Sequence, residues 1–134
     1  MTARSRVGRA VYTRRATEEE RLQSIELAND VVDALADRQA ADVVLLDVQE
    51  YAGFADYFVI ATSGSDRQMR ALVEAVDSAA DGYDKHPRWE GRSGEGWLLA
   101  DLGDVIVHLL TVEERARYDL EGLWQRAQEV VHIQ

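Results

Sequence analysis

Gly64-Ser65 is the first place in this sequence where chemistry could be housed. The pair separates the apolar run Tyr57–Thr62 from an amphipathic stretch opening at Asp66, so it marks a strand-to-helix junction. Free amides and the positive end of a helix dipole at such a junction can receive a phosphate. Nucleotidyltransferases open in this way, and their chemistry then needs two carboxylates on one strand face to hold magnesium. No such pair follows. Asp77 falls inside the expected helix with no acid two residues away, and Asp101 and Asp104 flank a turn. A cap that turns the chain accounts for Gly64-Ser65 better, with a nucleotide-binding or nucleotidyltransferase-like enzyme as the alternative.

The remaining candidates are weaker. Gly91, Gly94 and Gly96 imitate a phosphate loop but lead into a strand, where no helix dipole faces an anion. His86, His108 and His132 have neither i, i+4 metal-binding spacing nor an evident triad. With no cysteine in the chain, disulfides, thiolate zinc sites, iron–sulfur clusters and a cysteine nucleophile are excluded. The reading is therefore of a protein without catalytic, cofactor or metal residues.

The elements that must position any site follow from periodicity. Thr17-Glu18-Glu19-Glu20 fits a capping box, and Leu22, Ile25, Ala28, Val32, Leu35 and Ala36 continue it as one face of a helix. Val43–Val48 and Tyr57–Thr62 are β-branched runs suited to strands buried on both faces. A second helix carries Met69, Leu72, Val73, Val76 and Ala80 and ends at Gly82. Pro87 allows Arg88–Gly91 only as a short peripheral strand. Trp97–Asp101 and Asp104–Leu110 are strands joined by the turn at Leu102-Gly103. Thr111-Val112-Glu113-Glu114 caps a last helix, with Ala116, Leu120, Leu123, Trp124 and Ala127 on its buried side. Strands alternating with helices give an α/β or α+β single domain with a mixed sheet.

Charge narrows the partners. Residues 1–17 hold five arginines (Arg4, Arg6, Arg9, Arg14, Arg15) and no acid, whereas the whole chain has a formal charge of −10. Of the 15 basic residues, ten remain against 25 acids in the body, a formal −15. Such a body repels a phosphate backbone and attracts a basic protein, so sequence-specific nucleic-acid binding is not expected. Residues 1–16 read as a flexible arm, an anchor to acidic or phosphate surfaces, or a remnant targeting sequence. The apolar runs are too short to cross a bilayer, and no signal-peptide core is evident, so a cytoplasmic location is expected.

The aromatics mark a surface. Strand alternation sets Trp97, Leu99 and Asp101 on one face and Leu98 and Ala100 on the other. In the next strand Ile106 and His108 separate in the same way from Val105, Val107 and Leu109. The apolar sets suit packing under helices; the mixed sets suit a face partly open to solvent. Tyr118 falls opposite the apolar stripe of the last helix at ~100° per residue. Trp97, Leu99, Asp101, Ile106, His108 and Tyr118 are thus the candidate partner-binding residues.

Several segments, in order, resemble the Iojap or ribosomal silencing factor family. They are Asp47-Val48-Gln49, Ala55–Ser65 with Arg67-Gln68, Glu90-Gly91, Gly96–His108, and Arg117-Tyr118-x-Leu120-Glu121-x-Leu123-Trp124. The resemblance implies a nucleotidyltransferase-like topology lacking the catalytic carboxylates and needing no cofactor. It also implies binding to ribosomal protein fourteen of the large ribosomal subunit, a block of subunit joining and repression of translation. Some family members form homodimers. The family pattern divides the chain into a basic arm at 1–16, a domain at 17–124 and a C-terminal extension at 125–134. Because the capped helix begins at Thr17, deleting residues 1–16 is expected to leave the melting temperature unchanged by circular dichroism. A large fall would show that the arm packs on the domain.

Overall fold

Thr17 opens the first helix by satisfying two amides at once. Its Oγ1 accepts from the Glu20 N–H at 3.0 Å, and the Glu20 Oε1 accepts from the Thr17 N–H at 2.9 Å. Helix α1 (Glu18–Asp37) then buries Ser24, Leu27, Ala28, Val31, Val32 and Leu35. Its contact face is rotated from the expected stripe: Leu22 is 57% exposed, while Leu27 and Val31 are in the core. The computed structural model describes residues 17–50, 52–119, 122 and 128–133. The arm at 1–16 and the expected helical positions Leu120, Leu123, Trp124 and Ala127 lie outside them.

Helix α2 (Asp66–Asp81) buries Met69, Leu72, Ala75, Val76 and Ala80. Both helices lie on one face of a six-stranded sheet made of β1 (Ala41–Asp47), β2 (Tyr57–Ser63), β3 (Arg88–Arg92), β4 (Trp97–Asp101), β5 (Val105–Thr111) and β6 (Gln128–Ile133). The order across the sheet is β3-β4-β5-β2-β1-β6. Strands β2 and β5 pair in parallel from Tyr57 opposite Val105 to Ser63 opposite Thr111, and the other neighbours are antiparallel. This is the mixed α/β single domain expected from the order of elements.

Burial on the two sheet faces follows strand parity. Under the helices lie Val43, Leu45, Tyr57, Val59, Ala61, Leu98, Ala100, Val105, Val107 and Leu109. On the opposite face a smaller cluster gathers Val44, Leu46, Val48, Ala52, Ala55, Phe58, Ile60, Ile106 and Leu110, with Trp97 and Leu99 packed against it. Sequence-distant turns hold the edges in register. The Leu102 N–H donates to the Val105 carbonyl at 2.9 Å, and Gly103 takes the positive φ of 94° that the β4–β5 turn requires.

Two boundaries differ from those expected. Gln128–Ile133 falls in the segment 125–134 set apart as an extension, yet it pairs with β1 from Val43–Ile133 to Asp47–Gln128. Its partner strand is more than eighty residues away, so no local signal announces the pairing. Helix α3 (Val112–Arg117) ends before Tyr118, which the expected helix included, because Tyr118 adopts an extended backbone at φ −110° and ψ 102°. Ending the chain at residue 127 should bare the hydrogen-bonding edge of β1, with earlier thermal unfolding and self-association on gel filtration. Unchanged melting and elution would mean that β6 adds nothing to the sheet's stability.

Candidate functional site

Two glycines allow the chain to carry Trp97 where it sits. Gly96, at φ 82°, accepts at its carbonyl from the Thr111 N–H at 2.9 Å. A Cβ there would lie 2.8 Å from Glu114 Cγ and 2.9 Å from Thr111 Oγ1. Gly91, at φ 95° and opposite Leu98, leaves room for the Trp97 carbonyl oxygen, into which a Cβ would collide. Of the three glycines that imitate a phosphate loop, Gly91 and Gly96 are thus sites of close approach, whereas a Cβ at Gly94 would meet open space. With its N–H taken by Gly96, Thr111 caps α3 through Oγ1, which accepts from the Glu114 N–H at 3.2 Å. The helix is short, and its C-cap brings Tyr118 back over Trp97 at a ring-centroid distance of 4.9 Å. Tyr118 faces outward because the helix ends there; a continuing helical turn is not the cause.

The structure separates the six candidates into three groups. Trp97 and Leu99 are half-buried and Tyr118 is 41% exposed, and together they line an open groove with Glu90, Gly91, Glu95, Glu114 and Arg117. Ile106 and His108 share their sheet face but are only 6% and 5% exposed, so they offer almost no surface to a partner. The mixed face is largely closed because Val48, Ala52, Ala55 and Phe58 pack over its middle. Asp101 stands four residues from Trp97, roughly 13 Å along the strand. Its carboxylate accepts from the Gly103 N–H at 2.8 Å and pairs with Arg88 at 3.3 Å, so it braces the turn outside the groove.

A row of rings runs beneath and beside the groove. The Trp97 indole Nε1–H donates to His108 Nδ1 at 3.2 Å. Phe58 meets the same imidazole edge-on with centroids 5.0 Å apart. Phe54, 62% exposed, continues the row at 5.9 Å from Phe58. Periodicity could not find Phe54, which sits in a loop. Nor did it find the acidic rim, because Glu90 belongs to a weakly patterned strand and Glu114 reads as a capping residue.

At the Gly64-Ser65 junction the Gly64, Ser65 and Gln68 amides are engaged within the chain. Gly64 N–H donates to Gln68 Oε1 at 2.7 Å, and Ser65 Oγ accepts from Gln68 N–H at 3.1 Å. The Gln68 amide also donates to the carbonyls of Arg38 and Gln39 at 3.1 and 2.9 Å, tying the end of α1 to the start of α2. The junction works as a structural knot, with Gln68 joining the strand end, the start of α2 and the end of α1.

Comparisons with known proteins bear on the family and the fold. A family model described as ribosomal silencing factor during starvation matches residues 21–134. The chain is 38% identical over 92 residues to the ribosomal silencing factor RsfS of Bacillus subtilis, covering 68% of this chain and 78% of that one. It is 37% identical over 100 residues to RsfS of Halalkalibacterium halodurans, covering 74% and 86% of the two chains. A crystal structure of a protein from Chromobacterium violaceum superposes with a TM-score of 0.72 at 28% identity, over 83% of this chain and 92% of that one.

The buried imidazole gives stability a pH signature. Burial lowers the His108 pKa from 6.5 to about 4, so the folded state holds the ring neutral while the unfolded state protonates it more readily. Stability from this source is complete above pH 6.5 and is lost as pH falls toward 4, by about 3 kcal/mol. Asp56 acts in the opposite sense, since burial and repulsion from Asp104 and Asp47 raise its carboxyl. Urea unfolding across that pH range should therefore weaken less in His108→Phe than in the parent. Identical pH slopes would show that His108 titrates normally in the fold.

Proposed function

The chain belongs to the ribosomal silencing factor family, and from that membership we propose that it represses translation by occupying the joining surface of the large ribosomal subunit. The partner in this reading is ribosomal protein fourteen, and the block is steric. No chemical step is involved, and the protein acts in the cytoplasm without a cofactor. The observation that carries the reading is the groove at Trp97, Leu99 and Tyr118, rimmed by Glu90, Glu95 and Glu114 with Arg117 as the basic member.

Such a groove suits a basic protein surface next to RNA. Half-buried aromatic rings provide rigid contact area at low entropic cost, and carboxylates around them complement lysine or arginine. The same carboxylates disfavour phosphate, which confines contact to the protein component of a mixed surface. Family membership supplies the ribosome as the setting. The aromatic cluster supplies a place where contact energy can concentrate.

The test is sedimentation with purified subunits. The protein should pellet with free large subunits, pellet poorly with intact ribosomes, and reduce joining when added before the small subunit. Tyr118→Ala should stay as stable as the parent, and Trp97→Ala should lose a modest part of its stability because the indole packs on the second cluster. Each should weaken large-subunit binding by roughly 2 kcal/mol, about thirtyfold. Leu109→Ala, under the helices, should instead cost about 2–5 kcal/mol of folding stability. Equal binding to free subunits and intact ribosomes would refute the steric block.

A further inference from the structure

A histidine in a closed apolar layer needs a reason, and His108 carries an evident cost. It is 5% exposed, and its Nε2 is buried with no hydrogen-bond partner. Leaving a buried polar atom unmatched is unfavourable, and a leucine or phenylalanine would fill the space without that penalty. The other ring nitrogen is engaged: Nδ1 lies 3.2 Å from the Trp97 Nε1. An indole N–H can only donate, so Nδ1 must present its lone pair and the ring proton must sit on Nε2. The unmatched N–H is thus the consequence of placing an acceptor under Trp97. The low pKa produced by burial keeps the ring in the neutral form that can accept.

We propose that His108 is a positioning residue for the docking groove, one that holds the Trp97 indole in the orientation a partner meets. The inference rests on the reading of the groove as the large-subunit docking site. His108 is itself held from three sides. Leu99 is its register partner on β4, Ile60 its register partner on β2, and Phe58 stands edge-on against the imidazole. A fixed acceptor fixes the donor. Trp97, half-buried and at the edge of an open groove, would otherwise turn its N–H toward water and sample other rotamers. On the outer side Tyr118 lies against the indole, so the ring is clamped between a buried hydrogen bond and an exposed ring. An anchor ordered before the encounter avoids the entropy loss of ordering it on binding. His108 contributes to affinity in this way without touching the partner.

The acceptor and the packing can be separated by substitution. His108→Phe keeps the ring and removes the acceptor. His108→Asn keeps an acceptor oxygen close to the position of Nδ1 and loses most of the ring. Sedimentation with large subunits should show binding by His108→Phe weakened about tenfold and binding by His108→Asn within about threefold of the parent. The Trp97 indole N–H resonance should move in His108→Phe and return toward the parent position in His108→Asn. A purely structural histidine would give the reverse order, with the aromatic replacement tolerated better. In the parent, nitrogen NMR of the imidazole should find the proton on Nε2; a proton on Nδ1 would overturn the inference without any variant. Binding that falls in Trp97→Ala but not in folded His108→Phe would overturn the role of His108 alone. Unchanged binding by Trp97→Ala would remove the docking groove and the inference together.

Discussion

The parallel pairing of β2 with β5 is the constraint on which the rest of the molecule depends. Seven consecutive register pairs, from Tyr57–Val105 to Ser63–Thr111, form its centre, and the β2 residues in it are all buried. Parallel neighbours cannot be joined by a hairpin, so the chain must leave the sheet after Ser63 and return at Val105. Helix α2 is the first part of that crossover and the β3–β4 hairpin the second. Gly64-Ser65 therefore lies where the crossover begins, and the Gln68 side chain there accepts from the Gly64 N–H and donates to the carbonyls at the end of α1.

The same pairing gives the sheet two unlike faces. One is covered by α1 and α2, whose outer surfaces expose Glu26, Asp30, Asp33, Glu74, Asp77 and Asp81. Among the described residues the other is covered in its middle by Val48, Ala52 and Ala55, and its margin at the start of β4 holds Trp97 and Leu99. Acidity thus concentrates on the helical side and aromatic surface on the other. In the proposed docking, the acidic face would be repelled by RNA and the other would offer apolar contact, an asymmetry that would orient the molecule on a mixed protein and RNA surface. In that docking the groove's few carboxylates would act on the nearest neighbours, within the range that salt leaves unscreened.

Stability and the proposed docking share residues in the aromatic row. His108 and Phe58 belong to the second cluster, Trp97 lies across its boundary, and Tyr118 stands outside. The glycines at 91 and 96 belong to the same design, because side chains there would displace the backbone on either side of Trp97. The proposed contact surface is therefore held by the core, which favours a preformed patch over one that orders on binding.

Periodicity and capping chemistry, both local, determined most of the fold. The capping threonines at 17 and 111, the serine at 65, the turn at Leu102-Gly103 and the division of β4 and β5 into two faces are all legible in the sequence, since each rests on residues within a few positions of one another. The aromatic and acidic content of the patch was legible as composition. What tertiary structure decided were relations between distant segments. Strand parity places Ile106 and His108 beside Trp97, but only the packing of Val48, Ala52, Ala55 and Phe58 shows that both are covered. The edge strand β6 exists because β1 has an open side, and neither segment announces the other. The N–H of Tyr118 still reaches the Glu114 carbonyl, yet the helix stops there and the ring turns to Trp97. Burial and ring contacts are properties of surfaces meeting across the sheet, and a linear pattern holds only one side of each meeting.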